Sequence, residues 1–170
     1  MPRQIHQQLN SPFIRHNFIN NQTTRFDLNI NKEVVGYITI RQKYDNYSWM
    51  KDFCSKEFHN QLIPDNKYLE LSQLYVYQKD RGKGYANRLM RYLDFIFPEH
   101  YPEAKQIFLF AFATEFNLPR EILKEFYNKY KFEEIPFPID YIIEKNQTYD
   151  CLDMQIEDSK YVLMRNLSVN

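Results

Sequence analysis

The stretch "YVYQKDRGKGYANRLM", residues 75–90, holds two of the chain's three glycines, Gly82 and Gly84, set among Lys79, Arg81 and Lys83. An apolar run precedes them and a helix-like run follows. These residue types in this order suit the holding of an anion. A helix start presents N–H groups with no intrahelical acceptor and about half a unit of positive charge. A loop that turns its own N–H groups toward the same point completes a cradle. Glycine lets the backbone approach the ligand, because a Cβ would collide with it. Lys79, Arg81, Lys83, Arg88 and Arg91 set five basic residues against one acid, Asp80, between positions 79 and 91. The expected ligand is a phosphate. A glycine turn with a solvated basic rim is the bland reading, and the scarcity of glycine elsewhere weighs against it.

Two common phosphate motifs fail. The P-loop needs Gly five residues before its Gly-Lys pair and Ser or Thr after it. Tyr77 and Gly84 occupy those positions. The dinucleotide pattern G-x-G-x-x-G fails because residue 87 is Asn and the chain lacks successive βαβ units. Other chemistries have less support. His6, His16, His59 and His100 are scattered, without metal-ligand spacing, so no metal is expected. Cys54 and Cys151 lie far apart with no CxxC pair, as in reduced thiols of a cytoplasmic protein. A formal net charge of zero gives nucleic-acid binding no support. The start lacks a signal-peptide core, and runs such as "IFLFAFA" are too short to span a bilayer, so no membrane partner is expected.

The elements around the glycines follow from pattern. A chain of 170 residues, 44% hydrophobic and 17% aromatic, is long enough for one domain with a sizeable core. Residues 1–23 read as a weakly structured lead-in with at most one short helix. "TRFDLNI" and "EVVGYITIRQ" are β-rich runs around a hairpin turn at Asn31-Lys32. Residues 44–66 form a long connector, in which Trp49, Phe53 and Phe58 fit a short amphipathic helix stopped by Pro64. "KYLELSQLYVYQ" predicts a strand with Leu69, Leu71 and Gln73 on one face and Glu70, Ser72 and Leu74 on the other. Tyr85, Leu89, Tyr92, Leu93 and Ile96 recur at helical spacing, and Pro98 is expected to end that helix. "QIFLFAFA" reads as a strand buried on both faces. "PREILKEFYNKY" predicts a helix with Pro119 in its first turn and a stripe of Ile122, Leu123, Phe126 and Tyr130. "KFEEI" and "KYVLMRNL" close the order with two strands. The predicted fold class is α/β, with a mixed, mostly antiparallel central sheet, one strand–helix–strand crossover and flanking helices.

At this point the residues resemble a family. "LYVYQKDRGKGYANRLM" is similar to the acyl-CoA-binding signature of the GNAT N-acetyltransferase superfamily, [Q/R]-x-x-G-x-[G/A], between the family's fourth strand and third helix. "EVVGYITI" resembles the strand before it, with an acid-V-G-aromatic pattern. "FYNKYKF", residues 126–132, resembles the F-Y-x-K-x-G-F ending of the fourth helix. The resemblance covers residues 24–135, and the last strand also fits. This sequence departs from the family in four places. Lys79 replaces Gln or Arg, and Lys131 replaces Gly. Arg120 stands where Asn is often found. The pair of helices between the first two strands has no room, so the 44–66 connector is the candidate for the acceptor wall.

The resemblance implies acetyl-CoA as cosubstrate, with one GNAT domain over residues 1–170. It places Leu74, Tyr75 and Val76 beside the pantetheine arm, with the Val76 N–H toward the thioester oxygen. Lys79, Arg81, Gly82, Lys83, Gly84, Tyr85 and Ala86 would hold the pyrophosphate. Tyr127 lies at the general-acid position, and a phenol with pKa of about 10 suits a leaving thiolate; the alternative is a core aromatic, although Phe126 fits the helix stripe better. Glu70, six residues before Val76 and on the same face of an ideal strand, is the candidate base, against the alternative of an exposed acid. Glu115 and Glu133 are weaker candidates. Residues 133–158 carry eight acids (Glu133, Glu134, Asp140, Glu144, Asp150, Asp153, Glu157, Asp158) and one base, Lys145, a pattern that would favour a cationic acceptor if it rims the cleft. Tyr44, Tyr47, Trp49, Tyr141 and Tyr149 are candidate acceptor-lining aromatics. The expected function is direct acetyl transfer to a primary amine, with no covalent enzyme intermediate. The alternative is a non-catalytic acyl-CoA-binding or protein-interaction module. The sequence is compatible with a homodimer.

Overall fold

Asn31 and Lys32 take positive φ, 51° and 69°, the two-residue turn whose twist matches that of flanking strands. They join β2 (Thr23–Ile30) to β3 (Glu33–Lys43) as an antiparallel hairpin with Phe26 opposite Ile38. Period-two alternation then places Phe26, Leu28, Ile38 and Ile40 on one face, each at most 1% exposed. The computed structural model describes residues 12–43, 51, 54–63, 68–111, 120–137 and 161–167.

A further strand, β1 (Phe13–Phe18), pairs antiparallel with β2, Phe13 opposite Asn29 and Phe18 opposite Thr24. This corrects the expectation of a weakly structured lead-in for these six residues. The segment alternates only weakly, and its ladder to β2 supplies what local propensity lacks. Residues 19–22 alone separate β1 from β2, so neither that gap nor the hairpin holds a helix.

The remaining elements are α1 (Lys56–Leu62), β4 (Tyr68–Val76), a 3₁₀ turn at Gln78–Asp80, α2 (Tyr85–His100), β5 (Gln106–Ala111), α3 (Arg120–Asn128), β6 (Glu133–Glu134) and β7 (Tyr161–Asn166). The sheet is mixed and seven-stranded, in the order β1-β2-β3-β4-β5-β7-β6. β4 and β5 are parallel, with Leu69 opposite Ile107 and Glu70 opposite Phe108, and α2 makes the crossover. The chain divides into two compact units, Met1–Gln42 with Leu71–Pro102, and Lys43–Glu70 with Glu103–Asn170.

In the first unit α2 buries Leu89, Met90, Leu93, Ile96 and Phe97. Tyr85 and Tyr92, expected in that stripe, are half-buried at its border. Pro98 does not end the helix, which continues to His100. In the last turn proline forfeits one intrahelical bond only. The Tyr101 N–H closes the helix on the Phe97 carbonyl at 3.0 Å, and burial of Phe97 and Tyr101 holds the turn down.

In the second unit Ser55 caps α1, its hydroxyl accepting from the Phe58 N–H at 3.2 Å. Phe58 packs as expected, whereas Trp49, Phe53 and Pro64 lie outside the described residues. The core gathers Cys54, Ile63, Tyr68, Phe108, Ile135 and Val162. β5 is continuously buried from Ile107 to Leu109 and pairs antiparallel with β7. The stripe on α3 is rotated from the expected one. Leu123 and Tyr127 are buried, Phe126 is half-buried and Ile122 is 49% exposed. The helix carries apolar residues on two adjacent phases, and the anchoring of its last turn chooses between them.

Candidate active site

The cradle is built where β4 gives way to α2. After Val76 the 3₁₀ turn reverses the chain, and Gly82 and Gly84 take φ of 80° and 81°. A Cβ in that left-handed region costs an ordinary residue about 1–2 kcal/mol. Gly84 is the N-cap of α2 and offers no capping side chain. The N–H groups of Tyr85 and Ala86 therefore begin a helix without the usual Ser, Thr or Asp oxygen over them. A Cβ built on Gly82 or Gly84 would meet no atom within 4 Å, so the space beside both glycines is open. Open space beside glycine backbone at an uncapped helix start fits a phosphate-bearing cosubstrate such as acetyl-CoA.

The basic residues are more committed than their count implied. Lys79 pairs with Glu33 at 3.2 Å, and that hydrogen bond and charge raise its pKa. Lys83 lies 3.8 Å from the buried Asp80 carboxylate. Arg81 donates from Nε to the Val76 carbonyl at 2.9 Å and sets its guanidinium 5.6 Å from the Tyr75 ring centre. Arg81 thus ties the loop to the strand end. Arg88 and Arg91 line a groove against β1.

The structure adds residues whose role the sequence did not disclose. Glu33, Val35, Gly36 and Tyr37 of β3 brace the end of β4. A β-bulge leaves Val35 between Val34, opposite Asn29, and Gly36, opposite Leu28. The Val35 carbonyl accepts from the Tyr77 N–H at 3.0 Å. A Cβ on Gly36 would lie 2.6 Å from the Tyr75 carbonyl oxygen, so only glycine lets β3 run this close to Tyr75 and Val76. Tyr37, Tyr75 and Tyr77 pack their rings together, at 5.4–6.4 Å between centres. The acid-V-G-aromatic signal was visible in "EVVGYITI"; its purpose, to seat the cradle's strand, was not. Leu74, Tyr75, Val76, Tyr85 and Ala86 are all half-buried around this junction.

The second unit holds the two candidate catalytic side chains. Tyr127 is 8% exposed and is the penultimate residue of α3. Its carbonyl accepts from the Phe132 N–H at 3.2 Å, and the Lys131 N–H bonds the Asn128 carbonyl at 3.1 Å. These two bonds, with Lys131 at φ 71°, make a Schellman ending, and the rings of Phe132 and Tyr127 supply its apolar contact at 6.2 Å. Arg165 donates to the Tyr130 carbonyl at 3.3 Å, and Lys124 pairs with Glu134 at 3.0 Å. The F-Y-x-K-x-G-F motif is therefore a device that clamps Tyr127. Glu70 is half-buried, and Glu133 is exposed on the edge strand β6. Cys54 is fully buried, and burial pushes its thiol up to about 11, so it stays protonated at neutral pH. Glu115, Cys151, the connector aromatics Tyr44, Tyr47 and Trp49, and Tyr141, Tyr149 and the acids from Asp140 onward lie outside the described residues. No cluster of metal-ligating side chains occurs among the described residues, and no helix among them is long and apolar enough to cross a membrane.

Comparison with known proteins agrees with this architecture. No curated protein matches the chain by sequence. Among solved structures it is similar to a GNAT family acetyltransferase from Elizabethkingia anophelis with acetyl-CoA bound, with a TM-score of 0.55, 13% identity, and coverage of 92% of this chain and 98% of that one. Lower scores relate it to Arabidopsis thaliana Naa50 in complex with the bisubstrate analogue CoA-Ac-MVNAL (TM-score 0.48, 18% identity, 84% and 72% covered). The PaiA N-acetyltransferase from Thermoplasma acidophilum in complex with coenzyme A scores 0.49 at 11% identity; 86% of this chain is covered, and the chain spans 62% of that one. The sequence model of the Acetyltransferase (GNAT) family matches residues 2–132. Since that match runs through the bulged β3, the whole glycine cradle and the clamp on Tyr127, the chain belongs to the GNAT acetyltransferase family.

Proposed function

We propose that the protein moves an acetyl group from acetyl-CoA directly to a primary amine, as a single cytoplasmic GNAT domain. The observation that carries this reading is the open cradle at Gly82 and Gly84, where left-handed backbone opens a helix start that has no side-chain cap. Acetyl-CoA would supply an activated acetyl thioester. Gly82, Lys83, Gly84, Tyr85 and Ala86 would hold its phosphates through backbone N–H groups, with Lys79 and Arg81 bracing the loop. Leu74, Tyr75 and Val76 would flank the pantetheine arm, and the Val76 N–H would stabilise negative charge on the thioester oxygen. Glu70 would take the proton that an alkylammonium must lose before it can attack. Tyr127 would return a proton to the departing thiolate. The pKa of Cys54 supports direct transfer over a thiol relay on that residue. The acids between residues 133 and 158 support a cationic acceptor, a small amine or a lysine side chain, though Glu134 already has Lys124 as its counter-charge.

A thiol-release assay with acetyl-CoA against a panel of primary amines tests the reading. The Glu70→Gln variant sharpens it. Its kcat/KM at pH 7 should fall by about 10²–10⁴-fold, the range of acid–base catalysis, and recover in part as pH rises and solution supplies neutral amine. Superimposable pH–rate profiles for parent and variant would remove Glu70 from the mechanism. CoA binding with no transfer to any amine would favour the non-catalytic alternative.

A further inference from the structure

One side of α2 is unlike the rest of the helix. Arg88, Arg91 and Phe95 fall on neighbouring turns and, with Phe13, Ile14 and Leu28, line a groove of about 500 Å³. Leu28, 1% exposed, marks its inner end. Phe13 at 43% and Phe95 at 69% exposed mark its mouth. Such a volume suits a small molecule and not a protein face. Its charge is one-sided, because no acidic side chain lines the groove. Neither Arg88 nor Arg91 makes an ion pair among the described residues, although Arg25, Lys79, Lys83 and Lys124 all do. Two guanidinium groups, one helical turn apart and without a counter-ion among the described residues, line the same groove as exposed aromatic surface. An occupant that satisfies both features has an anionic head, for which the arginine fork is shaped, and an apolar tail.

We propose that this groove binds a single-chain anionic amphiphile, a fatty carboxylate, with its head on Arg88 and Arg91 and its tail along Phe95, Phe13 and Leu28. Charge argues against two nearer occupants. Residues 1–11, "MPRQIHQQLNS", bring Arg3 and no acid to a basic rim. A second copy docked by the same face would bring its own two arginines.

The test is calorimetric titration of the full chain with sodium decanoate below its micelle concentration. Saturable 1:1 binding is expected, weakened about tenfold or more in the Arg88→Gln/Arg91→Gln double variant, as for the loss of a charge-assisted fork. Phe95→Ser should weaken it independently of the head group. Decyl maltoside, with the same tail and no charge, should compete about tenfold or more less effectively than decanoate itself, and saturating CoA should leave decanoate affinity unchanged. The CoA arm keeps this test separate from the acetyl-transfer reading, because decanoate binding can be scored whether or not CoA binds. The proposal is overturned by an absence of saturable binding, by equal affinity in the double variant or by competition from the neutral amphiphile as effective as decanoate's own. Displacement by CoA would also overturn it and assign the arginines to the cradle. So would binding to anionic vesicles without binding to decanoate, which would make the face a membrane contact.

Discussion

Gly82 does two separable jobs: it permits a left-handed turn, and it leaves out a Cβ. Asparagine tolerates the left-handed region better than other side chains but restores the Cβ. Gly82→Asn should therefore keep a thermal midpoint close to the parent's while weakening CoA by about tenfold or more, because the added side chain fills space a phosphate needs. Calorimetric titration alongside a thermal melt separates the two effects, and unaltered CoA affinity would remove Gly82 from the cradle. Tyr127 also has two readings, and its burial shows that a core role is real. Tyr127→Phe keeps the ring against Phe132 and removes only the hydroxyl. If the hydroxyl is the acid, kcat should fall about 10²-fold with the KM for acetyl-CoA unchanged, as for a group acting only in the transition state. An unchanged kcat would return Tyr127 to the core alone.

At the scale of elements, strand and helix ends do most of the positioning. The bulge at Val35 and the bare Cα of Gly36 seat β3 against the last residues of β4, and Arg81 fastens the next loop to the same point. The end of α3 is clamped by a Schellman turn in which Lys131 occupies the left-handed position. Lysine pays a steric cost there that glycine would not, and glycine's greater freedom in the unfolded chain offsets only part of the gain. Lys131→Gly should stabilise the protein by about 0.5–1 kcal/mol, seen as a higher urea midpoint at unchanged slope. A lower midpoint would show that the lysine side chain contributes more than its backbone conformation costs.

At the scale of the molecule, His16 ties β1 to α2. Its Nε2 lies 3.3 Å from the Tyr92 hydroxyl, and its ring packs edge-on against His100 at 4.7 Å and Phe26 at 4.9 Å. Burial first, and His100 second, lower its pKa from 6.5. The folded protein thus holds this proton less tightly than the unfolded chain. The stabilisation is whole above pH 6.5 and is lost as pH falls from there through the depressed folded value. Thermal midpoints measured from pH 7.5 down to 5 should decline more steeply for the parent than for His16→Gln, which cannot titrate. Parallel declines would show that other groups set the acid limit.

Local chemistry was legible because it is written in adjacent residues. The glycine pair, the Asn31-Lys32 turn, the β4–α2–β5 crossover and the family's three motifs each need only a short window, and each stands where its spacing put it. The tertiary structure decided what depends on distant partners. Phe13–Phe18 became a strand because β2 offers it a ladder, and α2 passed Pro98 because Phe97 and Tyr101 bury its last turn. Ile122 turned outward and Tyr127 inward because Arg165, Glu134 and the Lys131 turn fix the rotation of α3, which its two apolar phases leave open. The same holds for charge. A count of five cations near the glycines could not tell which were already spoken for; only the fold paired Lys79 with Glu33, forty-six residues away, and left Arg88 and Arg91 over an apolar groove.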